Sequence, residues 1–202
     1  MINPLRYIRE NKTLGLRYCV DFNDAPGTDL LKQAGIKTKN HLMAFSDSSW
    51  QEFLDSGRST VAYIVFYHGW KIDHGRHVPV PVAQSSTESK YNAAYTAGMA
   101  LAHSRILIHE FLKKDSDSVP EEDPLIALDR KSTMCVSKND EDTNHTKHIA
   151  RIMHLVRNGG KCKMKNIDWC EGGLQLADIV TKNVSEPDLT PIMKCMMVRL
   201  EN

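Results

Sequence analysis

The chain has 202 residues with 26 basic and 25 acidic side chains, a near-balance that argues against binding nucleic acid by bulk charge, because such proteins carry a strong basic excess. Hydrophobic residues at 41% and charged residues at 25% describe a globular domain and not a disordered chain. No apolar run approaches the roughly 20 residues of a membrane helix, the five scattered cysteines with no CxxC pair indicate neither a disulfide framework nor a zinc ribbon, and the N-terminus is no secretory signal, so an intracellular setting (cytoplasm or nucleus) is expected.

In chain order, residues 5–10 read as a short helix and residues 14–20 as an alternating strand, followed by turn chemistry at Asn23-Asp24-Ala25-Pro26-Gly27. The opening helix lacks a capping residue, so a segment cut from a longer protein is expected. Residues 41–45 form a short apolar strand running into Asp47, and 59–67 (STVAYIVFY) a β-branched and aromatic one. A third strand is expected over 77–84 (HVPVPVAQ), confined to an edge by prolines that lack an N–H. Such close succession predicts an antiparallel meander. Ser85 or Ser86 caps a long helix reaching about residue 114, with Tyr91, Ala94, Gly98, Leu101 and Ala102 at helical spacing. An acidic loop over 115–123 precedes a buried-type strand ending at Asp129. Short helices over 132–138 and 146–157, a strand over 163–170 and a last helix over 174–181 complete a β-β-β-α-β-α-α-β-α order, a mixed α/β fold.

Four carboxylates share a setting. Asp47 and Asp129 follow short apolar strands, Glu88 lies in the first turn of the long helix, and Asp178 opens the last one. Strand ends and helix starts converge at a sheet edge, where ligands collect. Four acids crowded there repel one another unless cations neutralise them, and hard oxygen ligands suit Mg²⁺ or Mn²⁺. Two such ions activate a water and stabilise a leaving oxygen in phosphodiester hydrolysis. Taken singly, each acid reads more readily as a solvated surface group or a helix N-cap than as a ligand, and a glutamate at a helix N-terminus is favourable without metal. His145, His148, His154, Cys162 and Cys170 match no zinc-finger spacing. Lys147, Arg151 and Arg157 with Lys161, Lys163 and Lys165 make the most basic region, either a phosphate-tracking patch or a solvated face. Trp50, Trp70 and Trp169 read as packing residues before stacking ones.

The local sequences around these acids resemble the ribonuclease H domain of copia-type retrotransposon polyproteins. Phe45-Ser46-Asp47-Ser48-Ser49-Trp50 resembles the first-strand motif, and Gln84-Ser85-Ser86-Thr87-Glu88-Ser89-Lys90-Tyr91 the SSTEAEY helix start. Thr146-Lys147-His148-Ile149 is similar to RTKHI, and Leu176-Ala177-Asp178-Ile179-Val180-Thr181-Lys182 to LADILTK. With Gly57-Arg58-Ser59-Thr60, these segments keep the family's order over roughly residues 5–185. Leu5-Arg6-Tyr7-Ile8 and Leu14-Gly15-Leu16-Arg17-Tyr18 resemble the link from reverse transcriptase.

The resemblance implies a ribonuclease H-like mixed sheet, an antiparallel three-strand meander plus parallel strands, flanked by helices. It implies a reverse-transcriptase tail over 1–40, the ribonuclease H-like domain over 41–185 and a C-terminal tail over 186–202. Asp47, Glu88, Asp129 and Asp178 are the implied catalytic residues and ligands of two Mg²⁺ ions, with Mn²⁺ as substitute. The implied substrate is an RNA–DNA hybrid, with Arg130, Lys131, Lys147 and Arg151 on its phosphates. Where the family has Asn-Gln after its third acid, this chain has Arg130-Lys131, two cations that contact phosphates or compete for the carboxylates. That departure leaves a second expectation standing: a catalytically decayed remnant that keeps the fold and at most binds nucleic acid. An integrase-like nuclease domain ranks behind both, lacking the SSTE-type helix start.

Overall fold

A computed structural model describes residues 9–10, 12–16, 18, 32, 42–112, 124–129, 166–182, 184–194 and 196–199. Within them the chain runs β1 (Leu14–Gly15), β2 (Leu42–Phe53), β3 (Arg58–Tyr67), β4 (Trp70–His77), α1 (Ser86–Leu112), β5 (Leu125–Leu128) and β6 (Asn166–Trp169). A 3₁₀ turn (Gly172–Leu174), α2 (Asp178–Thr181), α3 (Glu186–Lys194) and β7 (Val198–Arg199) follow.

Five strands form one sheet in the order β4-β3-β2-β5-β6. β2, β3 and β4 pair antiparallel, while β5 lies parallel to β2 and β6 parallel to β5. The mixed α/β sheet flanked by helices is therefore present as expected. Side chains alternate across a pleated strand, and the core divides accordingly. Met43, Phe45, Ile64, Phe66, Leu125 and Ala127 pack on one face with Leu176, Ala177, Ile192 and Met196. Ala44, Val65, Ile126 and Leu128 pack on the other with Ala94, Ala97 and Leu101 of α1. The small residues of α1 let its backbone lie close to the sheet.

β3 turns into β4 through His68 (φ 49°) and Gly69 (φ 81°), which separate the paired residues Tyr67 and Trp70. Two successive left-handed residues are what a tight hairpin needs to match strand twist. The third strand is thus Trp70–His77, and the expected strand over 77–84 is corrected: residues 78–85 lie outside helix and strand. Pro79 and Pro81 offer no ladder donors, while the alternation that pairs with β3 lies just upstream. β2 is also longer than the expected 41–45 and carries Asp47 well inside the strand. Its ladder with β3 continues through Ser46, Asp47 and Ser48, because pairing uses backbone groups whatever the side chain. Beyond Ser49 the register shifts, with Gln51 in the left-handed region (φ 54°).

At the N-terminal end, of the described residues in the expected 14–20 strand Leu14–Gly15 form strand, paired antiparallel with Val198 and Arg199 of β7, while Leu16 and Tyr18 lie outside it. Residues 186–199, expected as tail, include α3 and β7, and Ile192 and Met196 are buried in the core. The expected helices over 132–138 and 146–157 lie outside the described residues. Among the described residues no helix is long and apolar enough to cross a membrane.

Candidate active site

Parallel pairing sets the centre of the site. β2 and β5 run in register Met43↔Leu125, Ala44↔Ile126 and Phe45↔Ala127, and two more residues along each chain bring Asp47 level with Asp129. Asp47 is fully buried and points to the face that α2 covers, where Thr181 Oγ1 donates to its Oδ2 at 2.5 Å. The same short helix delivers Asp178 and, just past its end, Lys182.

From the other side, α1 sends Lys90 into the gap between the two strands. Its Nζ donates to Asp47 Oδ1 at 2.6 Å and to Asp129 Oδ1 and Oδ2 at 2.6 and 2.8 Å. The two Asp129 oxygens share one side of the ammonium and the Asp47 oxygen is met by another of its N–H groups. Lys182 Nζ lies 2.9 Å from Asp178 Oδ1 and 3.3 Å from Asp47 Oδ2. Asp47 therefore bridges two ammonium groups, one shared with Asp129 and the other with Asp178. All four carboxylate oxygens of Asp47 and Asp129 face a cation or hydroxyl of the chain itself.

The protonation states follow from these contacts. Burial pushes the Asp47 carboxyl up, but the Lys90 charge and hydrogen bond, the Thr181 hydroxyl and Lys182 together hold it below the usual range. Asp178 goes the other way, to about 6: burial, the charge of Asp47 and a hydrogen bond shared with it outweigh Lys182. Burial opposes the charge on Lys182, yet its two aspartates raise its pKa overall. Cys170 is buried beside this cluster, and burial with the charges of Asp129 and Asp178 pushes its thiol up to about 12. Such a thiol is no nucleophile near neutral pH.

Glu88 is placed differently from the aspartates. Its backbone N–H donates to Ser85 Oγ at 3.1 Å, and its Oε2 accepts from the Gln84 N–H at 2.6 Å. This is reciprocal capping of a helix N-terminus, shifted by one residue on the acceptor side. Residue 90, two positions further and about 200° around the helix, faces the aspartates instead. The sequence reading passed over Lys90, although a signal was there: the SSTEAEY motif carries a glutamate at the place of Lys90. A carboxylate position of the motif is thus held by an ammonium.

Gln175, also missed, braces the cluster from behind. Buried at 1% exposure, its Nε2 donates to Ser46 O at 3.1 Å and Ala127 O at 3.4 Å, and its Oε1 accepts from the Ala177 N–H at 3.3 Å. One side chain thereby ties the backbones leading into Asp47, Asp129 and Asp178. Nothing in its sequence context marks it, because its role comes from contacts across distant segments. Trp169 Nε1 donates to Asp129 O at 3.1 Å, and Trp50 Nε1 to Ala83 O at 3.1 Å, so both indoles act as struts.

Among the described residues no group of three or more His, Cys, Asp or Glu side chains is disposed to hold a metal ion. A divalent ion between Asp47 and Asp129 would need oxygens that Lys90 already occupies, so this donor set does not fit two magnesium ions as it stands. Arg130, Lys131, Lys147 and Arg151, expected on phosphates, lie outside the described residues, as do His145, His148, His154 and Cys162.

No protein-family model matches the chain, and no curated protein sequence matches it either. Among solved structures, the chain is similar to ribonuclease H1 from the halophilic archaeon Halobacterium salinarum NRC-1, with 13% identity, 68% of this chain and 92% of that one covered, and a TM-score of 0.47. It is also similar to the N-terminal RNase H domain of a Mycobacterium tuberculosis protein, solved as a fusion with maltose binding protein. There the identity is 9%, the coverage 74% and 96%, and the TM-score 0.47.

Proposed function

We propose that this chain is a ribonuclease H-type domain of retrotransposon descent that keeps the scaffold of a hybrid-cutting site, engages RNA–DNA hybrid and does not hydrolyse it. The observation that carries the reading is Lys90, whose ammonium lies 2.6 Å from both Asp47 and Asp129. Two-metal hydrolysis needs open carboxylate oxygens to hold the ions, and here those oxygens are neutralised by the chain. The order of the sheet, the approach of three aspartates around the β2–β5 pair and the motifs shared with copia-type elements support the ancestry. Recognition of a hybrid would rest on its minor-groove shape and 2′-hydroxyl groups, and on phosphate contacts that weaken with salt.

A second reading, metal-dependent cleavage of the RNA strand, is favoured by the convergence of Asp47, Asp129 and Asp178. One experiment separates them. Purified protein is given a labelled RNA–DNA hybrid with Mg²⁺ or Mn²⁺, and binding is followed in parallel by fluorescence anisotropy in EDTA. Salt-sensitive binding that favours hybrid over duplex DNA, without cleavage, is the expected result. Cleavage that Asp47→Asn abolishes would establish the hydrolase, and absence of any hybrid preference would remove the binding reading.

A further inference from the structure

We infer that Lys90 is the resident cation of this site: its ammonium holds the ground between Asp47 and Asp129 against divalent metal, and its removal turns the same carboxylates into a metal-binding centre. The inference deepens the reading above, resting on its ion-paired state but not on the identity of the nucleic acid.

The geometry supplies the reasons. Asp47 is fully buried and Asp129 partly so, with side-chain exposures of 0% and 21%, and both carboxylates contact the one ammonium. Buried carboxylates this close cannot both stay ionised without a positive charge between them. Lys90 supplies it through a side chain only 11% exposed, fixed at its root in the second turn of α1. Its contacts of 2.6 Å to Asp47 and of 2.6 and 2.8 Å to the two oxygens of Asp129 tie the ammonium to both carboxylates at once. A free ion pays for its own immobilisation, whereas the tethered ammonium is positioned by folding.

Lys182 extends the pattern. It joins Asp47 to Asp178 as Lys90 joins Asp47 to Asp129, so three aspartates are met by two ammonium groups. Lys182 is 44% exposed in its side chain. Lys90 is the one enclosed, and the prediction centres on it.

The test is made without nucleic acid. Free Mn²⁺ is titrated by electron paramagnetic resonance against the wild-type chain, Lys90→Gln, Lys90→Glu and each combined with Asp129→Asn. Thermal unfolding is followed with and without MgCl₂. The wild-type chain should show no saturable Mn²⁺ site that Asp129→Asn removes, and no rise in Tm with Mg²⁺. Lys90→Gln and Lys90→Glu should gain an ion with affinity at least about tenfold above wild type, lost again with Asp129→Asn, and a Tm that rises with Mg²⁺. A wild-type site abolished by Asp129→Asn would overturn the inference, as would folded Lys90 variants that bind Mn²⁺ no better than wild type. Should both variants fail to fold, the wild-type titration decides alone. Hybrid binding in EDTA is indifferent to all these outcomes, so a failure of the proposed ligand is seen separately.

Discussion

The side-chain amide of Gln175 donates to the carbonyl oxygen of Ser46 at 3.1 Å, across 129 positions of sequence. That contact fixes the strand residue just before Asp47, and the same amide reaches Ala127 O on the neighbouring strand. Both carbonyls are drawn to one donor where β2 and β5 release their aspartates. The buried amide is thus a structural condition of the cluster.

Replacing Gln175 by Leu keeps the volume and removes the donors and acceptor. Groups left without partners in the interior cost about 1–3 kcal/mol each when a hydrogen-bond partner is deleted, so with two carbonyls and one N–H losing this partner a total loss of at least ~3 kcal/mol is expected in urea unfolding. Gln175→Glu should be worse at neutral pH, since it sets a carboxylate against two carbonyl oxygens, and should recover on acidification. A stability within ~0.5 kcal/mol of wild type for Gln175→Leu would show that the brace is incidental.

Lys90→Met leaves Asp47 and Asp129 facing each other with no charge between them. Breaking a buried ion pair by removing one partner typically costs about 3–5 kcal/mol, and Lys90→Met is expected near that range in metal-free buffer at pH 7. The double variant Lys90→Met with Asp129→Asn should be more stable than Lys90→Met alone, because it removes the repulsion of Asp129 on Asp47, which keeps Thr181 and Lys182 as partners. Additive losses in that cycle would contradict the pairing.

The two shifted carboxyls predict opposite pH slopes. Asp178 holds its proton to about pH 6 in the folded chain against an ordinary value of 3.8. The native state then binds more protons than the unfolded one between these values, so this group's contribution to stability falls as pH rises from about 4 to about 6 and stays flat above. Asp47, held below 3.8, contributes stability above that pH, which is lost on further acidification. In EDTA, stability measured from pH 3.5 to 7 should show the fall, and Asp178→Asn should flatten it. A slope unchanged in Asp178→Asn would assign the titration to another group.

Glu88 should behave as a cap. Glu88→Ala is expected to destabilise by about 1 kcal/mol, in the range for lost N-terminal capping, whereas Glu88→Gln should come within a few tenths because an amide oxygen also accepts from the Gln84 N–H. Mn²⁺ uptake by Lys90→Glu should survive Glu88→Gln. If it does not, Glu88 reaches the ion and its placement in the cap is not its whole role.

Gly75 marks a close approach on the sheet. A Cβ there would come within 2.7 Å of the Tyr63 ring, which lies across β4 and donates from its hydroxyl to Asp73 Oδ2 at 3.3 Å. Gly75→Val should therefore destabilise by about 1–3 kcal/mol, the range for forced overpacking, and the loss should shrink in a Tyr63→Ala background. Equal losses in both backgrounds would point to the backbone and not to the ring.

Much of this protein was written locally. A β-branched and aromatic run marked β3, a continuous apolar run marked β5, and a serine cap with the helical period marked α1; the positions of Asp47, Glu88, Asp129 and Asp178 at strand ends and helix starts raised the expectation that the four meet. These properties depend on neighbours within a few residues, so a single sequence carries them. The span of the third strand was misread because prolines alternating with valines imitate a strand without supplying its donors. The extent of β2 was missed because buried serines and an aspartate look like a strand's end while their backbone goes on pairing.

Which side chain of the helix start meets the aspartates was decided only in three dimensions. Glu88 and Lys90 stand two residues apart, and a helix turns about 200° between them, so one must cap while the other faces the sheet. The rotation of α1 over β2 chose Lys90 for the aspartates, and the sum of charges in that enclosed space follows from the choice. The sequence contained every charge; the packing determined which of them meet.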